Sequence, residues 1–173
     1  MNQEPKTRNG FTLMELLVAM AVFSSMIVAI GGIFTSVVGS QRKNIYNQEI
    51  LDNARFVLEN IGRAIRQSTI TTPNGTSATL TITHPVKNVL TYELAGGSIT
   101  EKSSLDSAPV ALTSNKVAVD SLIFVVAGNS MSDGLQPRVT IAMTIRSEDQ
   151  RAELSTSINL QTTVSPRKLQ IQQ

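Results

Sequence analysis

Between Leu16 and Phe34 the chain reads LLVAMAVFSSMIVAIGGIF, with no ionisable residue. At about 1.5 Å of rise per helical residue this run covers about 28 Å, close to the hydrocarbon thickness of a bilayer. Ser24 and Ser25 fit such a helix because a serine hydroxyl can bond back to a carbonyl one turn earlier, and Gly31 with Gly32 makes its weakest point. Polar residues return from Gln41, but the helical period continues: Ile50, Ala54, Val57, Ile61 and Ile65 recur at spacings of three and four, and Leu51 and Leu58 widen the stripe. A coiled-coil seam needs more repeats than this segment offers, so the stripe is expected to pack on its own domain. The pattern predicts one nearly continuous helix from Phe11 to about Ser68, ended at TTPNGTS, where Pro73 and Asn74-Gly75 signal a turn.

From Ala78 onward the period changes to two. ATLTIT, NVLTYEL, SITEK, PVALT, SLIFVVA, RVTIAMTIR and ELSTSINLQTTV are rich in Thr, Val and Ile and are separated by polar turns, as antiparallel strands are. TYELAGGSITEK reads as a hairpin with Gly96-Gly97 at its turn. In RVTIAMTIR, Val139, Ile141, Met143 and Ile145 fall on one face. The fold class is therefore α+β: a long N-terminal helix, membrane-spanning in its first half and amphipathic in its second, packed on a C-terminal antiparallel β-sheet domain. The expected divisions are 1–10 as a leader, 11–38 as the apolar helix, 39–70 as its amphipathic continuation and 71–173 as the β-rich domain.

Composition removes several functions. The chain has no cysteine and one histidine, His84, which excludes a thiolate nucleophile, a disulfide framework and a multi-histidine metal site. His84 precedes Pro85 and is expected in a surface loop. Asn129, Ser130, Ser132, Asp133 and Gly134 offer oxygens but a single carboxylate, and are read as an ordinary turn rather than a calcium loop. No serine stands out as a nucleophile, and LAGGS lacks the lysine and spacing of a phosphate loop. No catalytic constellation and no cofactor is expected. With 15 Lys and Arg against 13 Asp and Glu, and 4% aromatic residues, direct nucleic-acid binding is disfavoured.

One charge stands apart. Glu15 lies at the head of the apolar run, where an interfacial carboxylate could be inert but an intramembrane one is functional by default. The string Gly10, Phe11, Thr12, Leu13, Met14, Glu15, Leu16, Leu17, preceded by a polar leader with Lys6 and Arg8, resembles the cleavage signal of type IV pilins and pseudopilins. The resemblance covers about the first 30 residues. It implies cutting between Gly10 and Phe11 by a prepilin peptidase, N-methylation of Phe11, and a role for Glu15 in filament assembly, by pairing with the new amine of a neighbouring subunit.

It further implies a single-pass protein of the inner membrane with its C-terminal domain outside the cytoplasm, in contact with lipid, an inner-membrane assembly platform and other pilin or pseudopilin subunits before it joins an extracytoplasmic filament. Many major pilins carry a proline in this helix where Gly31 and Gly32 stand here, and NLQTTVSPRK is similar to the ends of minor or J-type chains. Two other readings compete: a single-pass membrane-anchored binding module with an intact leader, and a secreted enzyme cut near Gly39 or Ser40. Within the filament reading, a pilus, a type II secretion pseudopilus and a DNA-uptake pseudopilus stay open.

Overall fold

In a computed structural model, residues 10–130, 134–148 and 156–167 are described. Helix α1 spans Leu13–Gln67, within two residues of the expected bounds. The nine strands that follow are β1 (Thr69–Ile70), β2 (Gly75–Ser77), β3 (Leu80–His84), β4 (Asn88–Ala95), β5 (Ser98–Ser103), β6 (Val110–Ala111), β7 (Val117–Ala127), β8 (Arg138–Ser147) and β9 (Ser157–Val164). The chain divides into two compact units, Met1–Arg42 and Lys43–Gln173.

In the first unit the hydroxyls inside the apolar run are satisfied by the helix itself. Ser24 Oγ donates to the Met20 carbonyl at 2.8 Å, Ser25 Oγ to Val22 at 2.7 Å and Thr35 Oγ1 to Gly32 at 2.9 Å. These side chains therefore need neither water nor a partner chain. Gly31 and Gly32 do not interrupt α1.

The second unit is built on the amphipathic half of α1. Ile50, Ala54, Val57, Ile61 and Ile65 are all fully buried, as the period of the stripe requires, and Leu58 packs at the edge of the same core. All strands pair antiparallel, in two sheets of order β1-β3-β4-β5-β6 and β2-β7-β8-β9. Val139, Ile141, Met143 and Ile145 of β8 are buried together with Val119, Leu122, Phe124 and Val126 of β7. The sheets approach where the Val119 amide donates to the Gly97 carbonyl at 2.8 Å.

Gly96 and Gly97, at φ 57° and 77°, form the two-residue β4–β5 turn. Positive φ at both positions matches the twist of a hairpin and favours residues without a Cβ. Gly62, buried on α1, admits β9: a Cβ there would meet Val164 Cγ2 at 3.5 Å.

Three expectations are corrected. TTPNGTS is only partly a turn, since Gly75–Ser77 form β2 against Phe124–Val126. Strand β7 starts at Val117, four residues before SLIFVVA. Asp120 is an extra residue between Val119 and Ser121 in the pairing with β8 and breaks the alternation, while its Oδ1 accepts from Arg146 Nε at 2.8 Å. That bond, then the charge of Asp120, raises the Arg146 guanidinium above its usual range. PVALT yields only the two-residue β6.

Polar ties hold the elements in place. Ser114 N donates to Asn53 Oδ1 at 3.0 Å, and Lys116 Nζ reaches Glu49 Oε1 at 2.7 Å, which raises the Lys116 ammonium. Buried Tyr92 donates its hydroxyl to Glu101 Oε2 at 2.7 Å, and Lys87 Nζ donates to the other Glu101 oxygen at 2.6 Å. Burial first, then the bond to Glu101 and its charge, raise the Tyr92 phenol far above its usual range.

Candidate functional site

The residues singled out at the N-terminus sit around the start of α1. Gly10 and Phe11 precede the helix and are exposed, Phe11 at 85%. Residues 1–9, with Lys6 and Arg8, lie outside the described residues. An exposed dipeptide just ahead of a helix leaves no helical hydrogen bond to be broken before a peptidase could reach it.

The structure adds a residue that the reading of the sequence missed. Thr12 Oγ1 accepts the Glu15 backbone N–H at 3.2 Å, and the Thr12 carbonyl accepts from Leu16 N at 3.2 Å. Thr12 is the N-cap and Glu15 the third helical residue. The signal was available as Thr-x-x-Glu ahead of an apolar run, the capping-box spacing. Glu15 is also the acidic residue of the first turn, where a negative charge meets the positive end of the helix dipole. The carboxylate thus has a local electrostatic role before any partner is considered.

Beyond Glu15 every residue from Leu16 to Phe34 is exposed, including Phe23 at 65% and Phe34 at 68%. Among the described residues α1 is the one helix long and apolar enough to cross a membrane. Such a surface is unfavourable in water at about 25 cal/mol for each Å² and is stable only against lipid or other apolar helices.

The other candidates have structural duties. His84 closes β3 rather than lying in a free loop. Its Nδ1 accepts the backbone N–H groups of Val86 and Lys87 at 3.1 and 3.2 Å, which puts the ring proton on Nε2, facing Gln67 Oε1 at 3.1 Å. Both ring nitrogens are thereby engaged by amide groups, and among the described residues neither meets a serine or a carboxylate. Asn129 braces β7 against the β1–β2 segment: Nδ2 donates to the Thr72 carbonyl at 2.7 Å and to Ile70 at 3.3 Å, and its own N–H to Asn74 Oδ1 at 2.8 Å. Ser132 and Asp133 of the same cluster lie outside the described residues. In the depression beside Phe56, about 310 Å³ and lined by Glu59, Asn60, Arg63 and Lys87, Arg63 already pairs with Glu59 and Lys87 with Glu101.

Comparison with known proteins agrees with this geometry at one place. Residues 5–31 match the family model described as the prokaryotic N-terminal methylation motif. No curated protein and no solved structure matches the chain. The motif fits anchoring in the inner membrane by the apolar helix, and it indicates a structural subunit rather than an enzyme. With a methylation motif at residues 5–31 opening a long apolar helix, and an antiparallel β domain behind it, the chain carries a prepilin-type N-terminus and resembles the type IV pilins and pseudopilins.

Proposed function

We propose that the chain is a structural subunit of a helical filament, a minor or J-type pseudopilin-like protein. Its leader, residues 1–10, is removed between Gly10 and Phe11, and the new amine of Phe11 is methylated. Residues 11–38 lie in the bilayer and then in the filament core, 39–70 form the helical side of the domain, and 71–173 form its exposed face. The observation that carries this reading is the methylation motif at the head of a helix whose apolar surface is exposed among the described residues.

Physical reasoning gives Glu15 its part. After cutting, an ammonium group stands at Phe11, at the positive end of the α1 dipole, where it is unfavourable without a nearby anion. In a bundle of apolar helices the attraction between that cation and a carboxylate is many times its value in water. A neighbouring subunit's amine paired with Glu15 would fix the axial register of assembly. A type II secretion pseudopilus fits the minor-subunit features, and a pilus or a DNA-uptake pseudopilus uses the same chemistry.

The Thr12–Glu15 cap supports a second reading, a membrane-anchored module in which Glu15 only starts the helix. Glu15→Gln separates the two, because glutamine serves in a capping box but carries no charge. The filament reading expects normal cutting and a mature N-terminus at methylated Phe11 by mass spectrometry, with incorporation into filaments lost. Normal incorporation of Glu15→Gln would leave Glu15 as a cap, and an uncut Met1 would end the prepilin reading altogether.

A further inference from the structure

We infer that strand β9 is a docking edge for a second copy of this chain, joining two β2-β7-β8-β9 sheets through an antiparallel β9–β9 pair. β9 (Ser157–Val164) ends its sheet and has no strand on its far side among the described residues. It is eight residues long, in unbroken register with β8. The terminal strands β1, β2 and β6 have only two or three residues, and the flank of β7 opposite β8 is tied at Val119 to Gly97.

Edge strands are normally guarded by lysine, proline, a bulge or inward-pointing charge. SINLQTTV has none of these.

The free backbone groups follow from the hydrogen-bond parity. Ser147 N donates to the Thr156 carbonyl at 3.1 Å, so Ser147 and Thr156 form a hydrogen-bonded pair. Pairs alternate along an antiparallel ladder, which makes Ile158, Leu160, Thr162 and Val164 the β9 residues bonded to β8. Ser157, Asn159, Gln161 and Thr163 then point their N–H and C=O groups outward. The side chains agree, since Thr140–Thr163 and Thr144–Asn159 touch at 2.8 Å across the closer, non-bonded positions.

β9 itself has the pattern that this edge requires. On its core side Ile158 and Leu160 are only half-buried, an apolar rim that an added strand would cover. The partner strand must be uncharged, extended and apolar at alternate positions, and must offer outward N–H and C=O groups. A second β9 meets all four conditions with Ser157 opposite Thr163, Asn159 opposite Gln161 and Leu160 on the two-fold axis. This register uses every free group, sets core-side residues against core-side residues, and brings no like charges together. It is independent of the filament reading.

The test uses the full-length chain in detergent micelles. Asn159→Lys with Gln161→Lys sets lysine against lysine twice across the axis, whereas Asn159→Glu with Gln161→Lys sets glutamate against lysine. Sedimentation should show a wild-type dimer, association weakened about tenfold or more for the Lys/Lys chain, and a retained dimer for the Glu/Lys chain. Matched thermal melts would establish that both variants fold. In a mixture, an Asn159→Cys copy should form a disulfide with a Gln161→Cys copy, whose Cα atoms would be about 5.5 Å apart. A monomeric wild type, a dimer unaffected by Lys/Lys, or no mixed disulfide would each overturn the inference.

Discussion

Replacing Tyr92 by phenylalanine tests the polar tie inside the β domain and gives a result with a definite pH signature. Tyr92 is fully buried, and its hydroxyl donates at 2.7 Å to Glu101, whose side chain is only 12% exposed. A hydrogen bond to a charged acceptor contributes about 1.5–3 kcal/mol, so Tyr92→Phe should cost about 2 kcal/mol at pH 8. The phenol is raised in the folded protein, mainly by burial. Above a pH of about 10 the unfolded tyrosine ionises while the folded one stays neutral. Its contribution is therefore complete below pH 10 and falls by about 1.4 kcal/mol for each further pH unit. Phenylalanine does not titrate, and the Lys87–Glu101 pair is common to both chains. The gap between wild type and Tyr92→Phe should shrink to about 0.6 kcal/mol at pH 11. Urea unfolding of the full-length protein in detergent, followed by far-UV circular dichroism at pH 8 and 11, measures both gaps. An equal gap at the two pH values, or none at pH 8, would refute the assigned role.

Two further changes probe the helix that carries the domain. Gly62→Ala adds a methyl group at ordinary contact distance from Val164 and removes a helix-interior glycine, so stability should rise by about 0.5–1 kcal/mol, read as a higher thermal midpoint. A fall would mean that α1 and β9 sit closer than 3.5 Å allows. Ile61→Ala should cost about 3–4 kcal/mol because Ile61 is wholly buried, whereas Phe56→Ala, on the exposed side of the same helix, should change stability by less than about 0.5 kcal/mol. Equal costs in chemical denaturation would show that the buried face is wrongly assigned.

The long elements were legible in the sequence because each had one dominant period. The stripe from Ile50 to Ile65 and the alternation from Val139 to Ile145 occupy the faces that their spacing predicts. The short elements were not legible. β1 and β2 are strands because β3 and β7 offer them partners, and nothing local in Thr69–Ile70 or Gly75–Ser77 reveals that. The start of β7 was hidden by Asp120, whose place in a bulge is set by β8. Hydrogen bonding between distant strands also decides that there are two sheets, a division that no window of sequence contains.

At the candidate site the motif around Glu15 was visible as a family pattern, while the Thr12 cap was present as spacing and went unread. The division of labour at His84 could not be read, since it depends on Gln67 at the far end of α1 and on the turn that follows His84.

That the domain's helix comes first in the chain, and that the last strand meets it where Val164 packs at Gly62, has a consequence for synthesis. Ile65 leaves the ribosome roughly 100 residues before Val164, a delay of about 5–20 s at ordinary elongation rates. Through that interval the apolar stripe of α1 has no complete sheet to pack on, while the Leu16–Phe34 run, apolar enough to cross a membrane, is already made. If that run enters a membrane as it is made, insertion precedes folding, and the apolar face of the domain's helix stays open until the later strands are synthesised.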